Sequence, residues 1–204
     1  MTKKAVSIYM AMTCATSIVV PGRFAVGIVF ALEALFINLL TTLFRSLLDI
    51  LKVKQVFTVL MCVFTVSMTI LFKQLLILFM PQTAMQLSFA LYLPAISSFS
   101  TTFLFGEKRF SLKEDVINNI SPALVFSIYM LVTMLLRDVF GYGTLTFPAA
   151  RKMVEISLFP ENYTFAGSFI ATIPGALFFS AIVLAVFLEC ENKYEILKRA
   201  GMQK

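Results

Sequence analysis

The chain has 204 residues, 59% of them apolar and 14% charged, with a mean hydropathy of +0.90 and a formal net charge of +6. A soluble domain averages about 45–50% apolar and about 25% charged residues, so the composition excludes an ordinary soluble domain and predicts an integral membrane protein. The lack of histidine removes His-ligated haem, His-based zinc sites and a His general base. No Walker or Gly-x-Gly-x-x-Gly signature is present, and the scattered basic residues form no stripe for nucleic acid.

A bilayer core takes about 20 apolar residues per helix, and six segments qualify in chain order: Ala5–Val20, Phe24–Phe44, Val56–Met80, Leu87–Phe105, Ile117–Leu136 and Phe165–Leu188. The first follows Lys3 and Lys4 as a signal peptide would, but no Ala-x-Ala cleavage site comes after it, so a retained, shortish helix is expected. Ser111 and Glu114 form a Ser-x-x-Glu capping box leading into the fifth span. Residues 137–164 read as a long loop.

Six spans put both termini on one side. Twelve of the 17 lysines and arginines then share that side: Lys3, Lys4, Arg45, Lys52, Lys54, Lys108, Arg109, Lys113, Lys193, Lys198, Arg199 and Lys204. The other five, Arg23, Lys73, Arg137, Arg151 and Lys152, lie opposite. By the positive-inside rule both termini are cytoplasmic.

The expected architecture is therefore all-α, a single membrane domain over 1–204 with three spans in each half, about 1–80 and 81–204. The first span of each half stands apart. "AVSIYMAMTCATSIVVPG" carries Thr13, Cys14, Thr16 and Ser17 midway and closes on Pro21-Gly22; "LYLPAISSFSTTFLFG" is interrupted by Pro94 and carries Ser97, Ser98, Ser100, Thr101 and Thr102. Odd-numbered halves insert with opposite orientation, and short or broken helices at matching places in inverted 3+3 repeats point to a site at the membrane midplane. The plain alternative is that these hydroxyls hold helices together at about 1 kcal/mol each. Glu33, in the middle of the second span, is a candidate ion path, because a carboxylate in lipid is costly and usually functional; a polar partner chain or a local water defect would equally explain it. Three cysteines give no Cys-x-x-Cys and no even set for disulfides. Cys62 is expected to be a small buried packer and Cys190 an exposed thiol at a helix end.

Four stretches, in order, carry a resemblance. "LFINLLTTLFRSLL" has an Asn38-to-Arg45 spacing; "YLPAISSFS" is similar to an Ile-Pro-Leu-Ile-x-x-Asn-Cys element; "LLRDVFGYGTLTF" is similar to a Leu/Ile-Arg-Glu-x-x-Gly-x-Gly-Thr-Leu element through Arg137, Asp138, Gly141, Gly143, Thr144 and Leu145; and "IPGALFF" is similar to a Pro-Gly-Ala-Phe element through Pro174 and Gly175. Nearly end to end, the chain resembles the membrane subunits shared by Rnf and Na+-translocating Nqr complexes, in the RnfE/NqrD branch.

The resemblance implies a six-helix subunit of inverted 3+3 repeats in a bacterial inner membrane. Its partner would be an oppositely oriented RnfA/NqrE-like sister subunit. Each sister would bring a Cys from its first and fourth helices, and together they would hold a [2Fe-2S] cluster that passes electrons to flavin-bearing and Fe–S subunits while Na+ or H+ is moved. The orientation derived from the Lys/Arg count agrees with this branch. Cys14 stands at the family's first ligand position. Ser100 stands where the family's second cysteine would be, a degenerate position. Serine is nearly isosteric with cysteine but far harder to deprotonate than a thiol of pKa about 8.5. No cluster, a cluster with one Ser ligand, or a replacement ligand from elsewhere all remain consistent with the sequence. Outside the resemblance, the same paired half-helices would suit a small permease component or a structural paralogue without a cluster.

Overall fold

The computed structural model describes residues 15–52, 56–96, 112–149, 153–159 and 168–201. Described residues 15–19 are helical, and the chain breaks at Val20–Arg23 before α1 (Phe24–Ile50). Then follow α2 (Phe57–Phe79), the short α3 (Pro81–Gln86), a turn at 87–91 and a helical stretch at 92–96. α4 (Leu112–Arg137) runs into a π-helical turn, Asp138–Tyr142. A two-stranded antiparallel hairpin follows, β1 (Thr144–Pro148) and β2 (Met153–Ser157), with Thr144 opposite Ser157 and Pro148 opposite Met153. α5 (Ser168–Ala171) and α6 (Ile173–Gly201) complete the fold. Among the described residues, four helical segments are long and apolar enough to cross a membrane: Phe24–Ile50, Phe57–Phe79, Ala123–Tyr142 and Ile173–Tyr194. The structure is thus that of a mostly helical chain compatible with a multi-pass membrane protein.

α1 and α4 are the central pair, and they run antiparallel. The Phe24 amide meets Asp138, Gly27 lies against Met134, and the Ser127 hydroxyl donates to the Ala31 carbonyl at 3.3 Å. Gly27, Ala31 and Ala34 form the small-residue seam that lets two backbones come close where no hydrophobic drive separates helix from lipid. A Cβ on Gly27 would stand 2.8 Å from the Met134 Cβ, nearer than two carbons can approach. α2 packs antiparallel on the other flank of α1, through Phe36 with Phe72 (5.7 Å between centroids) and stacked Phe44 with Phe64 (3.9 Å). Val26, Val29, Phe30, Leu76, Leu87, Leu91, Met130 and Met134 fill the buried core.

Several expectations change against this framework. The second helix runs six residues beyond Phe44, to Ile50. The fourth span, expected from Leu87, opens with a turn at 87–91; Pro94 lies inside the first turn of the helical stretch 92–96, where its missing N–H leaves no hydrogen bond unmade. The sixth span is broken at Thr172. Residues 137–164, expected as loop, contain the π turn and the hairpin, whose strand signal at "TLTFP" and "MVEIS" is only five residues long in each case. Cys62, expected to be buried, is exposed on the outer face of α2; a periodic apolar helix hides no residue unless a neighbour covers that face. Cys190 is exposed as expected, but it lies inside α6 rather than at a helix end, because the helix continues to Gly201. Cys14, Ser100 and Ser111 lie outside the described residues, although α4 does begin at Leu112, directly after Ser111.

Gly27→Ala should lower stability by about 1–3 kcal/mol, because the extra methyl group meets a Cβ rather than the end of a flexible chain. Denaturant titration of the purified protein in detergent measures it, with Gly22→Ala giving a loss of the same sign through Arg137.

Candidate functional site

The break before α1 leaves backbone groups without helical partners, and each such group away from water costs free energy comparable to a lost hydrogen bond. α1's own N-cap residue, Arg23, makes no side-chain cap. The cap comes from α4's far end instead. Asp138 Oδ2 accepts the Phe24 N–H at 3.0 Å, and the Thr146 hydroxyl accepts the Ala25 N–H at 3.1 Å. The next two amides, Val26 and Gly27, donate to the Arg23 carbonyl at 3.0 and 3.2 Å. The Arg23 N–H donates to the Pro21 carbonyl at 2.7 Å, so all four orphan donors, Arg23 to Val26, are satisfied, and the Gly27 bond is the first regular one of the helix.

Arg137 treats the other side of the break in the same way. Its guanidinium Nη1 donates to the Ser17 carbonyl, and to the Val20 carbonyl at 3.1 Å. Neighbouring residues of opposite charge therefore close the two ends of one interrupted helix: the cation on the carbonyl end, the anion on the amide end, each with the sign the helix dipole favours. Arg137 and Asp138 are 2% and 0% exposed. Pro21-Gly22 makes the close approach feasible, since a Cβ on Gly22 would lie 2.9 Å from both Cβ and Nε of Arg137.

The hairpin completes the anion's shell. Asp138 Oδ2 also accepts the Thr146 N–H at 2.8 Å and its hydroxyl at 2.6 Å, and Oδ1 accepts the Thr144 hydroxyl at 3.0 Å. Arg23 lies over this group: 4.0 Å from Asp138 Oδ1, 3.3 Å from Glu155, hydrogen-bonded to Thr144 Oγ1 at 3.2 Å, and 4.1 Å above the Tyr142 ring. Gly143, at φ +65°, turns the chain from the π turn into β1, a conformation that favours glycine. Gly141 lets α5 approach, with Ala171 N 3.1 Å from where a Cβ would be. At the next break, Thr172 caps α6 by accepting the Gly175 N–H at 3.3 Å, and Gly175 has no room for a side chain beside Phe169.

Sequence reasoning singled out Arg137, Asp138, Gly141, Gly143 and Thr144 as a motif; it did not foresee that they join the end of the first helix to the start of the second. Thr146, Arg23, Tyr142 and Glu155 were missed. The signal for Thr146 was present in the alternation of Thr144, Thr146 and the apolar residues between, but a five-residue strand gives little to read.

The sequence-predicted site residues do not all meet in the described structure. Glu33 is buried within α1, at 0% exposure, nine residues after Phe24 and so about 14 Å from the clamp along the helix. Cys14 and Ser100 lie outside the described residues. Among the described residues no group of three or more acidic, Cys or His side chains could hold a metal, and Cys62 and Cys190 are both exposed on separate helices. The chain matches no known protein family and none of the curated proteins with which it was compared.

Asp138→Ala should cost about 3–5 kcal/mol, the range for removing one partner from a buried charged network, and Asp138→Asn less, because its amide oxygen keeps an acceptor for Phe24. Arg23→Ala should cost about 1 kcal/mol or less, since Arg23 is partly exposed and its pairs are screened. Thermal unfolding of the three variants in detergent gives the ranking.

Proposed function

We propose that the chain is a membrane subunit of an Rnf/Nqr-type ion-translocating electron-transport complex, of the RnfE/NqrD branch, paired with an oppositely oriented RnfA/NqrE-like sister. The observation that carries the reading is the clamp: the residues by which the chain resembles that family, Arg137, Asp138, Gly141, Gly143 and Thr144, are the ones that close the break after the helix bearing Thr16 and Ser17. That helix follows Cys14 directly in sequence. A motif with this placement has a structural reason to accompany a short first helix.

Two further features support the reading. α2 ends beside the hairpin, since Phe79 and Met80 line an apolar cavity of about 380 Å³ together with Pro148 and Ala149. α4 also ends there, so its first residue lies about 39 Å away along the helix. Between Met80 and Leu112 the chain has to return that distance, which favours a further crossing and hence the inverted 3+3 arrangement. In addition, α2 and α6 present long apolar faces outward, among them Val59, Val63, Ile70, Phe178, Ile182 and Val186. Lipid and neighbouring subunits of a complex would cover such faces.

In this reading the protein sits in a bacterial inner membrane with both termini cytoplasmic, and the hairpin on the opposite side. Cys14 is the surviving ligand position and Ser100 the degenerate one. A cluster held there with the sister would supply one-electron transfer across the membrane, and this chain's part is to hold the ligand-bearing half-helix at fixed depth through Arg137.

Single cysteines introduced at Lys113 and Glu161 should be labelled by impermeant thiol reagents from opposite faces of the membrane; labelling of both from one face would sink the six-span reading. The complex purified from native membranes should contain flavin-bearing and Fe–S subunits. Ser100→Cys should raise its iron content and thiolate-to-iron absorbance, whereas Cys14→Ala should lower both if wild type holds a cluster. A full cluster spectrum unchanged by Cys14→Ala would remove Cys14 from the site.

A further inference from the structure

Every buried polar side chain in the described part of α1 and α2 finds a partner except one. Asn38 donates to the Ala34 carbonyl (2.8 Å), Thr41 to Ile37 (2.7 Å), Thr42 to Asn38 (2.7 Å), Thr65 to Met61 (2.7 Å) and Thr69 to Thr65 (2.9 Å), so each satisfies its donor within its own helix. Both oxygens of Glu33 are buried without a hydrogen-bond partner among the described residues. Its place along α1, about 14 Å from Phe24, is near the middle of a hydrocarbon core about 30 Å thick.

The surroundings differ on the two sides of Glu33. Toward the clamp the buried residues are apolar: Val26, Val29 and Phe30 on α1, with Met130 and Met134 on α4. Toward the C-terminal end of α1 polar groups join the buried apolar ones, Ala34, Ile37 and Leu48. Between the Phe36–Phe72 and Phe44–Phe64 contacts lie Asn38, Thr41 and Thr42 on α1 and Thr65 and Thr69 on α2, all buried. On α1 these buried polar groups occupy the turns between Glu33 and Arg45, toward the helix end at Ile50.

We propose that Glu33 is an exchangeable proton-binding site at mid-membrane, reached from the membrane face on which α1 ends. The ligand is a proton rather than a metal cation for a coordination reason. A hard cation takes a shell of about six oxygen ligands, whereas a proton needs only the carboxylate itself, and neither Glu33 oxygen has a hydrogen-bond partner among the described residues. A buried carboxylate without a partner is neutralised far more cheaply by a proton than by remaining charged. No opposing charge competes. On α1 the charged residues are Arg23, Arg45 and Asp49, more than two turns away; on α2 the cation is Lys73, which donates to Ser88 at 2.9 Å. On α4, Arg137 is turned to the Ser17 and Val20 carbonyls, and Tyr129 is the titratable residue in the span; Tyr92 lies in the helical stretch 92–96. The inference needs only the membrane setting and is independent of electron transport.

Infrared difference spectroscopy of the full chain in proteoliposomes, between about pH 6 and about pH 10, tests it. A protonated-carboxyl C=O band should be present at the low end and vanish reversibly at the high end. It should be absent in Glu33→Gln, shifted but present in Glu33→Asp, and unmoved by Na+ at constant pH. After a pH jump, Thr41→Val combined with Thr69→Val should slow its loss several-fold. A spectrum identical in wild type and Glu33→Gln, or a band that never titrates, overturns the proton site; bleaching of the band by Na+ makes it a sodium site and overturns the proposal equally. Unchanged kinetics in the Thr variant overturn the assigned access side. Should Glu33→Gln fail to fold, the band shift in Glu33→Asp carries the same assignment.

Discussion

A helix interrupted inside apolar surroundings has to satisfy its freed amides and carbonyls from somewhere else, and the rest of this structure is arranged around that need. The groups buried at such a break need protein partners. At Pro21–Arg23 they come from consecutive residues at the end of α4, with Arg137 on the carbonyls and Asp138 on the amides. Because those two residues are adjacent, their position fixes the antiparallel pairing of α1 with α4 and the depth at which the two meet. The small-residue seam then follows, as does the hairpin, whose threonines complete the Asp138 shell.

The helices also differ in how far they are covered. α1 is covered on several sides, while α2 and α6 are exposed along most of their length. In water such faces would be an aggregation hazard; against lipid tails they are neutral, because hydrocarbon is as apolar as leucine. Cys62 is exposed for the same reason. The α6 helix is attached mainly at its start, through Thr172, Gly175 and the contact of Gly141 with Ala171, which leaves its long shaft available to a neighbour.

Polar side chains buried in α1 and α2 fall into two physical kinds. The buried threonines bond back to the preceding turn of their own helices, and Asn38 places one amide N–H there as well. This is why so many hydroxyls are tolerated in apolar segments. Glu33 has no such local solution: a carboxylate bears no donor of its own for a preceding carbonyl unless it is protonated. Composition treats the two kinds alike, and geometry distinguishes them.

Hydropathy alone determined the mostly helical class, its membrane-length apolar segments, the limits of α2 and the core of α1 and α4, because a span of about 20 apolar residues reads the same whatever it packs against. Pro21-Gly22 marked the end of the first helix on the page, and Gly27 hinted at a close helix pair only in retrospect. What the sequence did not determine was anything depending on which faces meet. The capping of α1 from 114 residues away, the hairpin in an expected loop, the break at Thr172 and the exposure of Cys62 all rest on non-local contacts. Arg137 and Asp138 show the division most clearly. In the sequence they are two charges at the edge of a span, ready to be counted as loop residues in water. Only the tertiary structure turns both inward, because the cost of leaving a helix break unsatisfied exceeds the cost of burying two charges that between them satisfy it.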